Sequence, residues 1–411
     1  MQVLAQIVFW GNALALAHTY LIYPWLLRWL ARGKTPDACL YPPGDPGLPV
    51  VSVLMAVYNE ERVIVEKLES LRLLQYPADK LQIFIGSDGS DDQTSALINQ
   101  VIRQNPAAGF QFFPFSERRG KPPVINDLAQ RAIDAFERRQ AAAYGANLIT
   151  HVFLLTDASV MLPPETVYRL VRHFKNERIG VVDAHMRSKG LRAEGISQSE
   201  NRYLSGEVQL KHWESLAWGM MMGPFGGCYA LRADLFEPVP PRSLVDDFWL
   251  VFRVLERGFW AINDLDAVCY EGATHRVKDE YRRKKRIAAG SFQNLARFHK
   301  WVLPPATRLG FAFFSHKVLR WFGGFFLILL YLSSGVLALE NQIFRGLFWM
   351  MTFGTAAIFA LNYLPQQFRI RTWTPVKNLA YFLAMNAALV DGFFKWRKGI
   401  RENTWQRTVR E

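Results

Sequence analysis

The apolar positions of this chain follow two regimes. Near both ends they run on without interruption: no Asp, Glu, Lys or Arg occurs over residues 3–27, 321–339 or 346–364. Each run approaches the roughly 20 apolar residues needed to cross a bilayer core, and each predicts a membrane-crossing helix. Between them the runs are short and alternate in period. Residues 50–58 form a nearly continuous apolar stretch rich in β-branched side chains, which suits a strand buried on both faces. Residues 62–74 then show helical spacing through Val63, Leu68, Leu71 and Leu74. Strands follow at 81–85, 110–115 and 152–155, with helices at 91–103 and 124–136. The alternation predicts a doubly wound α/β domain with a mostly parallel sheet, whose ligands sit beyond the carboxyl ends of the strands.

The segment 35–49, TPDACLYPPGDPGLP, reads as a linker between the first run and that domain. Arg28, Arg32 and Lys34 come after the first run, whereas a cleaved signal peptide carries its positive charge before the apolar stretch. The reading is a retained helix with its N-terminus outside and the chain from residue 34 onward in the cytoplasm. The expected organisation is a transmembrane helix over 1–34, a linker over 35–49 and a cytoplasmic catalytic domain over 50–302. An interfacial helix over 303–320, transmembrane helices over 321–396 and a basic tail over 397–411 complete it. Residues 308–320 mix Phe311, Phe313, Phe314 and Val318 with His316 and Lys317, as a helix lying in a bilayer surface does. The last apolar segment, 379–390, is short. Three full crossings would leave the basic tail outside, against the positive-inside tendency, unless one segment is re-entrant.

A formal net charge of +13 raises nucleic acid as a partner, but no nucleic-acid-binding motif accompanies it. A basic protein facing an anionic lipid bilayer is the plainer account. Cys39, Cys228 and Cys269 lack paired metal-ligand spacing and read as buried, reduced thiols. Acidic residues stand at two strand ends: Asp88 in SDGSDD, and Asp157 in TDAS. Gly89 permits the first turn, and Ser90 or Asp91 can cap the helix after it. Neither segment is a Walker loop or a GxGxxG fingerprint. Alone, each serves as readily as a surface cap as a site.

In combination and in order, the segments resemble the family 2 glycosyltransferases of the GT-A fold, which include the bacterial cellulose, hyaluronan and poly-N-acetylglucosamine synthases. The matching pieces are VSVLMAVYNEE at 51–61, SDGSDDQT at 87–94, RRGKPPVIN at 118–126 and TDAS at 156–159. They continue with GPFGGCYALRADLF at 223–236, VDDFWL at 245–250 and YRRKKRIAAGSFQNL at 281–295. The resemblance implies a GT-A, Rossmann-like α/β domain with a mixed sheet and flanking transmembrane helices, in a bacterial inner membrane. It implies that Tyr58, Glu60 and Asp88 contact the uridine of a UDP-sugar and that Lys121 approaches the nucleotide or its diphosphate. A solvated Lys121 beside Arg118 and Arg119 is the alternative.

Asp157 takes the first position of the family's DxD motif and would hold Mg²⁺ or Mn²⁺ against the diphosphate. Ser159 at the second position departs from that motif, yet one carboxylate can suffice for a cation that keeps waters and substrate oxygens. His275, in EGATHR, stands where some GT-A enzymes add a metal or phosphate contact; an ordinary surface histidine is the other reading. The VDDF segment resembles the synthases' TED motif. Asp247 would be the general base that takes the acceptor hydroxyl proton, and Asp246 would cap the helix over 248–256.

Residues 282–286 are five consecutive cations where the synthases carry QxxRW. Arg286 keeps the arginine, Arg283 replaces the glutamine and Ile287 replaces the tryptophan. Arg283 and Arg286 are therefore candidates for the donor phosphates, while the missing tryptophan argues for a looser acceptor site and short or distributive products. The leading function is inverting transfer from a UDP-sugar to a growing oligo- or polysaccharide. Single transfer to a lipid or lipid-linked acceptor stands as an alternative, and so does a non-catalytic membrane scaffold of an export system. The residues do not name the sugar, the linkage or an export or polymerisation partner.

Overall fold

The computed structural model describes residues 1–36, 39–143, 149–190, 197–273, 276–302, 307–367 and 373–400. Its strands are β1 (Val50–Val57), β2 (Leu81–Asp88), β3 (Phe110–Phe115), β4 (His151–Thr156), β5 (Val160–Met161), β6 (Ile179–Lys189), β7 (Cys228–Arg232) and β8 (Trp260–Gly272). They lie in one sheet in the order β3-β2-β1-β4-β7-β6-β8-β5. The continuous apolar runs become its centre, where β1 and β4 are buried along their whole length.

Strands β3, β2, β1 and β4 are parallel, as the alternation of strand and helix predicts. Beyond them the sheet is mixed, as the resemblance implies: β7 runs antiparallel to both β4 and β6, while β6 and β8 are parallel. Strand direction depends on how the connections return, and side-chain period carries no record of that. Val51 lies opposite Leu81 on one side and Val152 on the other. This register brings the carboxyl ends of β1, β2 and β4 to one edge of the sheet.

Two apolar layers hold the sheet. Ile64–Arg72, Thr94–Gln104 and Thr166–Val171 cover one face through Ile64, Leu68, Ile98 and Leu170, against Val53, Met55 and Ile83. On the other, Lys121–Ala143 and Asp246–Glu256 bring Val124, Leu128, Val251 and Phe252 against Leu54, Phe84 and Phe153. Gly86 in β2 is a close approach, because a Cβ there would meet Val124 Cγ1 at 2.6 Å. This second layer continues into Phe313, Val318 and Trp321. The α/β domain therefore shares a core with the segment that follows it.

The N-terminal helix runs from Gln2–Ala17 through a π turn at His18–Ile22 into Tyr23–Leu30, a length of about 43 Å at 1.5 Å per residue. Ala5 and Phe9 pack on Leu337 of the helix Gly323–Leu337, while Val3, Leu4, Ile7, Trp10, Leu14, Trp25 and Trp29 stay exposed. Among the described residues, Gln342–Asn362 is long and apolar enough to cross a membrane by itself. The 308–320 helix extends to Trp321 and bends by 62° into Gly323–Leu337; those two pieces meet the same length and composition only together. Thr374–Arg397 carries Lys377, Asp391 and Lys395 and packs along Val277–Arg297. There Gly392 lies so close that a Cβ would meet the Ala288 Cβ at 2.3 Å.

Candidate active site

At the carboxyl edge, the loop after β1 and the loop after β2 are laced together. Among the described residues Asn59 is the non-glycine residue at positive φ, 54°, a conformation that asparagine tolerates better than most residues. Its side chain donates to Asp91 Oδ1 (2.5 Å) and accepts from the Asp91 N–H (3.1 Å), and the Glu60 N–H donates to Thr94 Oγ1 (2.8 Å). Asp88 ends β2, fully buried, and its two oxygens accept the N–H groups of Arg119 (2.7 Å) and Gly120 (2.8 Å). Gly89, at φ 67°, lets the RRGK loop pass: a Cβ there would lie 3.0 Å from the Arg118 nitrogen. Arg118 in turn stacks its guanidinium 3.6 Å from the centre of the Tyr58 ring. Asp88 thus sets the approach of Lys121 to the site.

Lys121 opens its helix and donates to Asp157 Oδ1 at 2.7 Å, with Asp246 Oδ2 at 3.8 Å. Burial works against its charge, but Asp157 and Asp246 more than compensate and raise its pKa above the ordinary lysine value. Ser159 donates to Glu271 Oε1 at 3.2 Å, so a carboxylate from the end of β8 stands beside the second DxD position. The turn is braced from beneath by Lys67. This side chain is fully buried, donates to Thr156 Oγ1 (2.9 Å) and the Val160 carbonyl (2.5 Å), and is pulled down to about 8 by burial.

Asp246 and Asp247 both fall in the first turn of Asp246–Glu256, whose N-cap is Val245. The expected capping role of Asp246 is corrected: no side-chain cap bond forms, because Asp246 is already helical and its carboxylate turns toward Lys121. Asp247 Oδ1 accepts the Phe248 N–H at 2.7 Å. Burial, together with the charge of Asp246, pushes its carboxyl up to about 7. Gly226, at φ 81°, faces it so closely that a Cβ would come within 2.2 Å of Asp247 Oδ2.

Arg286 donates to the Leu244 carbonyl at 3.1 Å, whereas Arg283 is engaged by Glu280 (3.1 Å) and Glu200 (3.3 Å). Glu60, Lys121, Asp157, Ser159, Asp246, Asp247, Arg283 and Arg286 all line one cleft of 1380 Å³. Tyr58 and Asp88 are not among its lining residues, and His275 lies outside the described residues. Of the thiols, Cys228 and Cys269 are buried as expected; Cys39 is exposed, because the linker that carries it lies at the surface.

Two family patterns match this chain. "Glycosyl transferase family 2" covers residues 52–235, and "Glycosyl transferase family group 2" covers residues 151–388, more than half of its length. The chain belongs to glycosyl transferase family group 2. Among curated relatives of this glycosyltransferase, the beta-monoglucosyldiacylglycerol synthase of Synechocystis sp. is 25% identical over 306 residues, which are 71% of this chain and 59% of that one. The poly-beta-1,6-N-acetyl-D-glucosamine synthase of Staphylococcus aureus is 24% identical over 212 residues, 51% of this chain and 42% of that one. The chain thus spans about half the length of these relatives. A mannosyltransferase from Pyrobaculum calidifontis, solved in complex with GDP-mannose and Mn²⁺, superposes with a TM-score of 0.68 at 20% identity over 96% of this chain and 97% of that one. That likeness shows the GT-A fold.

Proposed function

We propose that this glycosyltransferase moves a sugar, with inversion, from a UDP-sugar to a hydroxyl of a growing oligo- or polysaccharide at a membrane surface. The observation that carries the reading is the convergence in one cleft of a diphosphate end, Lys121 with Asp157, and a base, Asp247. Asp157, Ser159 and Glu271 present only oxygen donors, a set that fits a hard divalent cation such as Mg²⁺ or Mn²⁺. No ready-made cage of three acidic, imidazole or thiol groups exists among the described residues, so water and diphosphate oxygens would complete the shell. A cation held there would offset the charge of the leaving diphosphate.

The protein's own groups account for the remaining steps. Lys121 and the N-terminus of its helix face the diphosphate with positive charge. Asp247 takes the proton of the acceptor hydroxyl as oxygen attacks the anomeric carbon and the bond to the diphosphate breaks. Arg286, which lines the same cleft, adds positive charge for the donor phosphates. These retained groups also count against a scaffold that has lost its chemistry.

A lipid acceptor is the second reading, because the far end of the cleft is walled by Phe382, Met385, Leu389 and Phe394 beside Lys285 and Lys395. Apolar walls with a cationic rim suit an anionic or sugar-bearing lipid, and one relative is a diacylglycerol glycolipid synthase. The test is release of nucleotide by the purified chain from a panel of UDP-sugars and GDP-mannose with Mg²⁺ or Mn²⁺. UDP from one donor is the expected result. Release of GDP alone would overturn the donor assignment, and no release from any donor would overturn the transferase reading.

Membrane attachment rests on the exposed apolar face of the N-terminal helix and on Gln342–Asn362. With Cys39 replaced by Ser, a Gln104→Cys variant in intact cells should resist an impermeant thiol reagent and react only after lysis. Labelling before lysis would place the catalytic domain on the other side.

A further inference from the structure

The segment 222–227 touches both acidic centres of the cleft. The Gly227 carbonyl accepts the Asp157 N–H (3.1 Å) and the Thr156 hydroxyl (3.1 Å), while Gly226 abuts the Asp247 carboxylate. Any shift of this segment moves the metal aspartate and the base relative to one another. One of its anchors lies in the helix Ser197–Trp218: Glu214 Oε2 accepts the Met222 N–H at 2.9 Å.

The other oxygen of that carboxylate faces the flanking helices. Glu214 Oε1 accepts the hydroxyl of Tyr23 at 2.8 Å and lies 2.7 Å from His316 Nδ1. Tyr23 belongs to the N-terminal helix and His316 to the helical segment 308–321. Tyr23, Glu214 and His316 are each fully buried. The second ring nitrogen of His316 continues to Glu207 at 2.9 Å, which Lys317 (2.7 Å) and Arg320 also engage. A buried carboxylate depends on its donors, and removing one leaves a desolvated group that rearranges to find another. Glu214 thus joins the Met222 N–H on one oxygen to Tyr23 and His316 on the other.

We propose that Glu214 is a positioning residue: it sets the 222–227 segment between Asp157 and Asp247 when the N-terminal helix and the 308–321 helix are docked, and so makes sugar transfer depend on their seating. The inference rests on the proposed function. It explains why two flanking helices converge on one buried carboxylate that does not itself line the cleft. The Met222 N–H is one route by which their docking reaches the two acidic centres.

The experiment compares Glu214→Gln and Tyr23→Phe with the wild-type full chain in lipid nanodiscs. Single-turnover transfer, donor affinity by equilibrium binding and amide hydrogen exchange are read together. Misplacement of reacting groups by about 1 Å can cost on the order of 10²-fold. On that scale Glu214→Gln should slow transfer about tenfold or more and Tyr23→Phe about threefold, with donor affinity held within about twofold. Exchange should quicken over residues 222–227 and leave the central sheet as protected as in the wild type. Tyr23→Phe alters no residue of the catalytic domain, so its result stands even if Glu214→Gln folds poorly. Wild-type rate and exchange in Tyr23→Phe would overturn the proposal, as would equal losses of donor affinity, sheet protection and rate. A wild-type chain that transfers nothing would refute the proposed function, whereas the exchange pattern would still decide the role of Glu214.

Discussion

Asp247→Asn is expected to slow single-turnover transfer by about 10²- to 10⁴-fold while leaving donor affinity close to that of the wild type. An acceptor hydroxyl is a poor nucleophile at neutral pH, so its proton must leave as the new bond forms. The amide keeps the size of the side chain and can still accept the Phe248 N–H that orients Asp247. What it loses is the ability to take a proton. The donor end, Lys121 with Asp157, keeps its 2.7 Å contact. The pH dependence gives a second signature. Burial first, and then the neighbouring Asp246, push the Asp247 carboxyl up to about 7. A base works in its ionised form, so the wild-type rate should rise about tenfold per unit below that value and level off above it. Asp246→Asn removes one cause of the shift and should move the rising limb to lower pH. A wild-type rate in Asp247→Asn, or a profile flat between pH 5 and 8, would place the base elsewhere.

The parts of this site that were legible in the sequence are those carried by local order. Buried strands written as unbroken aliphatic runs, such as 50–58, and acidic turns at their ends located Asp157 at the sheet edge before any coordinates. Long-range closure was not written that way. Glu271 reaches Ser159 because β8 pairs with the two-residue strand β5, Val160 opposite Glu271, and nothing in EGATHR announces that partner. Lys67 looks like one polar position of a surface helix, yet it is fully buried under the Asp157 turn. The apolar positions 63, 68, 71 and 74 marked a helix but not the polar pocket beneath it. Asp88 was legible as important and not in its local role, since only the fold shows the RRGK backbone bending back onto its carboxylate. Arg283 stands where the family's motif carries another residue; its i,i+3 contact with Glu280 follows from helical spacing, whereas its proximity to Glu200 depends on a helix packing that spacing alone does not reveal.

Asp157→Asn should abolish metal-assisted donor binding and lower turnover by at least about 10²-fold, the scale on which a single electrostatic contact to a developing charge is felt. The argument starts from charge. A divalent cation facing two phosphates needs anionic protein oxygen, and a neutral amide supplies a weaker ligand with no charge to offset. The same substitution also removes the partner of Lys121, which then has Asp246 at 3.8 Å as its other carboxylate. Donor affinity and catalysis should therefore fall together, in contrast to Asp247→Asn. Glu271→Gln separates the two roles at this end of the cleft, since Glu271 accepts the Ser159 hydroxyl while Lys121 donates to Asp157. If Glu271 completes the oxygen set, its amide should weaken Mn²⁺ binding, read by electron paramagnetic resonance in the presence of UDP, by about tenfold, as losses around a metal's ligands commonly do. Binding of UDP without metal should remain unchanged in that variant. Full turnover in excess chelator, or Mn²⁺ binding by Asp157→Asn equal to that of the wild type, would mean that the diphosphate is neutralised by Lys121 and Arg286 without a cation at Asp157.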